Sequence, residues 1–295
     1  MRLLIAGWQG QIARALVEAA PACPEVRACA VGRAALDICE ARSIERALSD
    51  INPTLVINSA AYTAVDEAET EVERAYALNR DGARLLAEAS ARRNIPIIHL
   101  STDYVYGGHK RDAYVEDDPT DPVTVYGQSK LEGEEAVRAA NPKHVILRTA
   151  WVFSPSGRNF VKTMLSRAAE NERISVVNDQ HGSPTYAPHL VDAILDLARR
   201  LSATKDGKVP WGVYHATGAG TATWCEMAQE VFRCSAKLGG PTAVVDPIAS
   251  TDYPTPAQRP VNSRLDCSKL NRAFGITLPS WQAGVAQCVE RLVKG

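Results

Sequence analysis

The sequence predicts an α/β protein: a Rossmann-type doubly wound parallel sheet, with a smaller α/β substrate-binding region toward the C-terminus. Three observations carry this expectation. Short apolar strands alternate with helical runs from residue 2 to about residue 150, the order that builds parallel sheets through helical crossovers. The first strand, Arg2–Ala6, runs directly into Gly7-Trp8-Gln9-Gly10-Gln11-Ile12-Ala13, a G-x-x-G-x-x-A turn. The chemically capable residues fall where predicted strands end, the edge at which such sheets bind ligands.

Composition sets the outer bounds. A chain of 295 residues is long enough to bury a large core, as one big domain or one and a half. Its 45% hydrophobic and 23% charged residues are ordinary globular composition. A net charge of −1 gives no reason to expect a nucleic-acid or anionic-membrane partner. No apolar run of about 18 residues is present, so no membrane span is expected, and the apolar start of the chain is too short for a secretory signal. Seven scattered cysteines without a C-x-x-C pair fit reduced thiols in a cytoplasmic protein. Residues 1–150 are expected to form the NAD(P)-binding core, with segments around 175–215 returning to it and 151–295 mainly binding substrate.

The glycine turn has a physical purpose. Gly7 and Gly10 let backbone N–H groups approach a pyrophosphate at a helix N-terminus, and Ala13 lets the helix (Arg14–Ala20) pack close to the strand. Val26–Val31 is the second strand. Ala30 and Val31 supply no acid for a ribose hydroxyl. Arg33 reads either as a partner for a 2′-phosphate, which leans toward NADP, or as a solvated loop arginine. Asp37, followed by Ile38, is short enough to reach an adenine. A helix over Ala41–Ile51 leads to a buried strand, Thr54–Asn58, and then to Ser59-Ala60-Ala61-Tyr62-Thr63, whose small residues leave room for a flat cofactor ring. A long helix is expected over Glu69–Arg93, with Asn79 in its middle. The fourth strand, Ile95–Leu100, then delivers Ser101, Thr102 and Asp103.

The stretch Tyr126-Gly127-Gln128-Ser129-Lys130 places a phenol and an ammonium four residues apart, on one face of a helix. A free tyrosine has a pKa near 10; a fixed positive charge beside it favours the phenolate and lowers that value. The pair therefore reads as a tuned general acid, joined by the Thr102 hydroxyl.

Beyond His144–Thr149, Trp151 and Phe153 offer an apolar wall, although Phe153 reads better as core. Helices are expected over Asn159–Ala169, Pro188–Leu201, Thr223–Ala236, Cys267–Phe274 and Trp281–Val293. Strands are expected over Ile174–Asn178 and Gly212–Ala216, and Ser202–Pro210 reads as a linker. His181 lies in a polar turn and reads as a satisfied loop histidine. Arg259 stands in a proline-punctuated loop, where a guanidinium can grip a diphosphate.

Taken together, Gly7–Ala13, Asn58–Asp66, Ser101–Gly107, Tyr126–Lys130, Arg148–Phe153, Asn178–Thr185 and Tyr253–Ser263 resemble the extended short-chain dehydrogenase/reductase superfamily. Within it they are similar to the dTDP-4-dehydrorhamnose reductase family, and the likeness runs almost end to end. The resemblance implies Tyr126 as proton donor, Lys130 as the ribose-binding and pKa-lowering lysine, and Thr102 as the hydroxyl at the substrate carbonyl. It implies cofactor contacts at Gly10, Gln11, Ile12, Asp37, Ile38, Ala61, Tyr62 and Thr63, to which Gly7, Arg33 and Ala60 are added from the motifs. Substrate contacts are expected at Thr102, Asp103, Trp151, Asn159 and Arg259. The implied cofactor is NADPH, with NADH possible, and the implied partner is a nucleotide sugar.

Some members of that family dimerise around Mg²⁺ held by glutamates. The corresponding positions here are Ala15 and Pro188, neither of which ligates a hard cation. No metal is expected, and the chain is expected to be a monomer or a dimer not built on Mg²⁺. Two other readings compete: a nucleotide-sugar dehydratase or epimerase, and a non-catalytic dinucleotide-binding regulatory subunit. Tyr104 after Asp103, where a dehydratase shows an Asp-Glu pair, argues against the first. The joint presence of Thr102, Tyr126 and Lys130 argues against the second.

Overall fold

A computed structural model describes residues 1–204 and 208–295. The chain begins with β1 (Arg2–Ala6), α1 (Gln11–Ala19), β2 (Arg27–Val31), α2 (Ala41–Ile51) and β3 (Leu55–Asn58). It continues through α3 (Val65–Ala68), α4 (Val72–Tyr76), α5 (Ala83–Arg92), β4 (Ile97–Thr102), α6 (Val125–Ala140) and β5 (His144–Thr149). The strands β6 (Val152–Phe153), β7 (Arg173–Val177), β8 (His181–Gly182) and β9 (Thr185–Tyr186) follow, with α7 (Phe160–Ala168) after β6 and α8 (Ala187–Ala203) after β9. Last come β10 (Gly212–His215), β11 (Ala222–Thr223), α9 (Trp224–Lys237), β12 (Val244–Ile248), α10 (Ser268–Phe274) and α11 (Trp281–Val293).

Six strands form one parallel sheet in the order β10-β5-β4-β3-β1-β2. The chain leaves β1 for β2 on one side and β3 on the other, so a crevice opens between β1 and β3 at their carboxyl ends. Strand side chains alternate between two cores, as the pleat requires. Leu3, Ile5, Ile57 and Leu147 pack against α1 and α8. Leu4, Val56, Ile97 and Ile146 pack on the other face, against α2, α5 and α6. The sheet is covered on both faces, which suits its nearly unbroken apolar strands.

The segment 175–215 divides. α8 and β10 join the main sheet layers, whereas β7 pairs with β12 in a separate two-stranded parallel sheet. Around that small sheet α7, α9 and α11 close a second core containing Phe153, Val176, Tyr186, Phe232 and Trp281. Thr223 caps α9 in a reciprocal capping box with Glu226. Of the linker expected over 202–210, residues 202 and 203 continue α8, and 205–207 lie outside the described residues.

One helix departs from expectation. In place of a continuous helix over 69–93, α4 passes into a six-residue π-helical segment, Ala77–Gly82, before α5 resumes. Asn79 lies in this wide turn, fully buried. Its amide accepts from Tyr62 N at 2.8 Å and donates to Tyr62 O at 3.1 Å and Ser129 Oγ at 2.9 Å. A π segment re-aims a side chain by one position, and here it clamps the loop after β3. The helix α6 approaches so closely that a Cβ on Gly133 would lie 2.0 Å from Asn79 O. Helical periodicity alone carries no signal for such a widening.

Candidate active site

Tyr126 and Lys130 sit in the first two turns of α6, the helix whose start is fixed by Thr124, which accepts from Gly127 N at 3.0 Å. Gly127 has to be glycine, because a Cβ there would come within 2.2 Å of Tyr104 O. That contact seats the helix against the loop after β4. β4 extends to Thr102, so the hydroxyl is presented from the strand's last residue. Thr102 Oγ1 accepts from Tyr104 N at 3.2 Å and donates to Asp103 Oδ1 at 3.1 Å. The Tyr126 ring meets Tyr104 edge to face at 5.6 Å.

Burial governs the electrostatics. Tyr126 is pushed up to about 12 by burial, reinforced by the Asp103 charge and opposed by the Thr102 hydroxyl. Lys130 is 2% exposed and is pushed down to about 8 by burial, against the pull of Glu134 one turn later. Its Nζ donates to Leu100 O at 2.6 Å and lies 3.4 Å from His99 Nε2. The expected lowering of the phenol by the lysine is therefore absent from this arrangement. The ammonium is turned toward the strand backbone, and desolvation dominates both groups. Asp103, also buried, is pushed up to about 6, and its Oδ2 has no hydrogen-bond partner.

The glycine turn has the shape a dinucleotide needs. Gly7 is at φ +97°, with Ser59 and Ala60 close against it. Gly10 caps α1 without a side chain, and a Cβ there would meet no protein atom within 4 Å. The helix N-terminus thus faces open space, where its unpaired N–H groups and positive dipole end suit phosphate. Ile12 and Ile38 are buried, and Ala60, Ala61, Tyr62 and Thr63 form the loop after β3. Tyr62 is further held by its hydroxyl, which donates to Glu71 at 3.2 Å. Arg33 projects from the end of β2, its side chain 75% exposed, and pairs with Asp37 at 2.9 Å. The two residues expected at the adenosine end therefore hold each other.

Three other expected contacts are committed elsewhere. Asn159, expected at substrate, caps α7 through Lys162 N at 3.2 Å and donates to Ser154 O at 2.7 Å and Gln11 Oε1 at 3.1 Å. Asparagine favours such a cap. Gln11 in turn takes a second bond from Ser154 Oγ at 2.9 Å, tying the glycine turn to the segment after β6. Arg259 grips Asp66 with both guanidinium nitrogens.

Trp151, in the left-handed region at φ +46°, stacks on Trp224 with ring centroids 3.5 Å apart and planes at 4°. Gly182 allows this: a Cβ there would lie 2.2 Å from the Trp151 ring. Phe153 is core, as read from the sequence. Trp224 also lines a cavity of about 270 Å³ with Phe160, Met164, Val177, Tyr253 and Arg259. Of these, sequence reasoning singled out only Arg259. The signal lay in the motif stretch Tyr253–Ser263, which carries Tyr253 beside Arg259; nothing local marked Trp224 or Phe160. Among the described residues, no cluster of three or more His, Cys, Asp or Glu side chains is arranged to hold a metal ion.

The chain was compared with known proteins. The family profile described as RmlD substrate binding domain matches residues 1–294. A dTDP-4-dehydrorhamnose reductase of Sinorhizobium fredii is 46% identical, over 99% of this chain and 98% of that protein. The crystal structure of a dTDP-4-dehydrorhamnose reductase from Clostridium acetobutylicum superposes with a TM-score of 0.91 at 33% identity, covering 99% of each chain. That of the Bacillus anthracis dTDP-4-dehydrorhamnose reductase in complex with NADP gives a TM-score of 0.90 at 33% identity, covering 98% of this chain and 99% of that one.

Proposed function

The chain belongs to the RmlD substrate binding domain family, and from this premise we propose that it reduces the 4-keto group of dTDP-4-dehydro-L-rhamnose with NADPH to give dTDP-L-rhamnose. The observation that carries the reading is the convergence of Thr102, Tyr126 and Lys130 at the carboxyl end of β4, in the same sheet as the glycine turn.

NADPH supplies the hydride. Gly7, Gly10 and the N-terminus of α1 would hold its pyrophosphate, with the loop Ala60–Thr63 and Arg33 as the further residues that would contact it. Tyr126 holds the proton at its phenol oxygen and delivers it to the C4 oxygen of the sugar. Its high pKa keeps it protonated until negative charge develops on that oxygen. Thr102 orients the carbonyl beside the phenol, and Lys130 meets the cofactor ribose. The aromatic cavity behind Trp151 suits the flat base of the nucleotide, whose binding energy orients the distant reacting carbon.

The chain acts in the cytoplasm, without a nucleic-acid partner, as a monomer or as a dimer assembled without metal. No described helix is long and apolar enough to cross a membrane. The deciding assay follows loss of reduced nicotinamide absorbance with enzymatically generated dTDP-4-dehydro-L-rhamnose, using NADPH and then NADH. Sugar-dependent turnover supports the reading and ranks the cofactors. Tight cofactor binding with no turnover overturns it.

A further inference from the structure

Directly beneath the active site lies a buried histidine that the chemistry above does not use. His99, 1% exposed on β4, stands between Asn58 and Lys130. Asn58 Nδ2 lies 3.1 Å from His99 Nδ1, and Lys130 Nζ lies 3.4 Å from His99 Nε2. The orientation of the Asn58 amide is fixed independently, because its Oδ1 accepts from Ala60 N at 3.2 Å. The amide nitrogen must then face the ring, and a primary amide nitrogen only donates. Nδ1 therefore accepts, and the single ring hydrogen of a neutral imidazole sits on Nε2, aimed at Lys130.

An ammonium has no lone pair to receive that hydrogen; a neutral amine has one. Lys130 satisfies both neighbours only as an amine that donates to Leu100 O, 2.6 Å away, and accepts from His99. We propose that His99 is a positioning residue that orients the Lys130 amine and favours its uncharged form, so that the charge Lys130 offers the cofactor ribose depends on the surrounding pH. The titratable groups acting on Lys130 are Glu134 on its own helix, which favours the charge, and His99 on β4. Burial holds His99 well below the ordinary imidazole range, so it stays neutral, and Asn58 keeps it in this tautomer. In cofactor terms, the loop whose backbone orients Asn58 is the one expected to flank the nicotinamide, so the relay runs from cofactor loop to lysine.

The role in catalysis rests on the reductase reading, whereas the tautomer does not, and the two are tested separately. Nitrogen-15 spectra of the histidine-labelled protein, with the His99 signal assigned by its loss in His99→Gln, report which ring nitrogen carries hydrogen. Hydrogen on Nε2 is expected; hydrogen on Nδ1 overturns the proposal whether or not the chain reduces any sugar. For the role, glutamine at 99 replaces the ring N–H aimed at Lys130 with a carboxamide, whose carbonyl can accept from an ammonium. The alkaline limb of the kcat profile should move up by roughly one pH unit, a tenfold change in the charged-to-neutral ratio. A profile that overlays the parent's at equal thermal stability overturns the role. If His99→Gln fails to fold, His99→Asn carries the assignment.

Discussion

Arg259 closes both prongs of its guanidinium on Asp66, NH1 to Oδ1 at 3.0 Å and NH2 to Oδ2 at 2.9 Å. The same Oδ1 accepts from Ala257 N at 3.2 Å. One carboxylate in α3 thus anchors the C-terminal loop at two points, and Tyr253 and Thr255 of that loop line the aromatic cavity. Asp66→Ala should raise KM for the nucleotide sugar by roughly tenfold and leave kcat within about threefold, since in the proposed mode the loop binds the remote handle and not the reacting carbon. Equal losses in kcat and kcat/KM would show that the loop acts at the chemical step.

Tyr126→Phe removes the proposed proton donor and little else, because the ring and its edge-to-face contact with Tyr104 persist. kcat should fall by about 10²–10⁴. Cofactor affinity, read by fluorescence titration, should stay within about threefold. Turnover at the parent's rate would remove Tyr126 from the mechanism.

Arg148 and Glu134 form a buried ion pair at 2.6 Å, with side chains 4% and 0% exposed. Ser101 Oγ donates to Glu134, and Arg148 NH1 donates to Tyr106 at 2.7 Å. Glu134→Gln leaves the guanidinium without a counter-charge and should cost about 3–5 kcal/mol in denaturant unfolding. The double replacement Glu134→Gln/Arg148→Met should recover much of that loss. Additive effects of the two changes would contradict the pairing.

Two buried histidines make stability fall on acidification. Burial holds His99 well below its usual value and His215 down at about 3, while an unfolded histidine binds its proton below about 6.5. The unfolded chain therefore binds more protons in that window, and stability present above about pH 7 is lost as pH falls toward 3. Asp103, raised to about 6, acts in the opposite sense and recovers part of the loss. Between pH 7.5 and 5.5 the two histidines outweigh Asp103, a net loss on the order of 1–2 kcal/mol. Urea midpoints at the two pH values measure it, and His215→Gln should remove more than half. Equal midpoints would mean that these groups titrate normally in the fold.

The sheet was legible because each signal was local. The glycine turn, the apolar strands and the Tyr126–Lys130 spacing all lie within a few residues, and α2, β5 and α11 match their expected bounds. What escaped was long-range. Asn159 reads as a free polar residue until Lys162, Ser154 and Gln11 are seen around it. Arg33 and Arg259 read as free cations until Asp37 and Asp66 close on them. The lysine's effect on Tyr126 was argued from spacing, which fixes the helix face but not where a flexible four-carbon chain ends. Trp151 and Trp224 meet across more than seventy residues of sequence, and no local pattern announces that stack.

β10 is contributed by residues 212–215, yet it pairs along Val145–Arg148 of β5 and brings His215 to Tyr106 at 2.8 Å. A fragment ending near residue 150 would keep every glycine, hydroxyl and lysine of the candidate site, but β5 would become a bare edge with its hydrogen-bonding groups unpaired. The Arg148–Glu134 pair would lose the strand that walls it from water. Dissection at that point should therefore yield an aggregating polypeptide and not a small cofactor-binding module. During synthesis, too, the N-terminal half has to wait for some sixty further residues before its own sheet is finished.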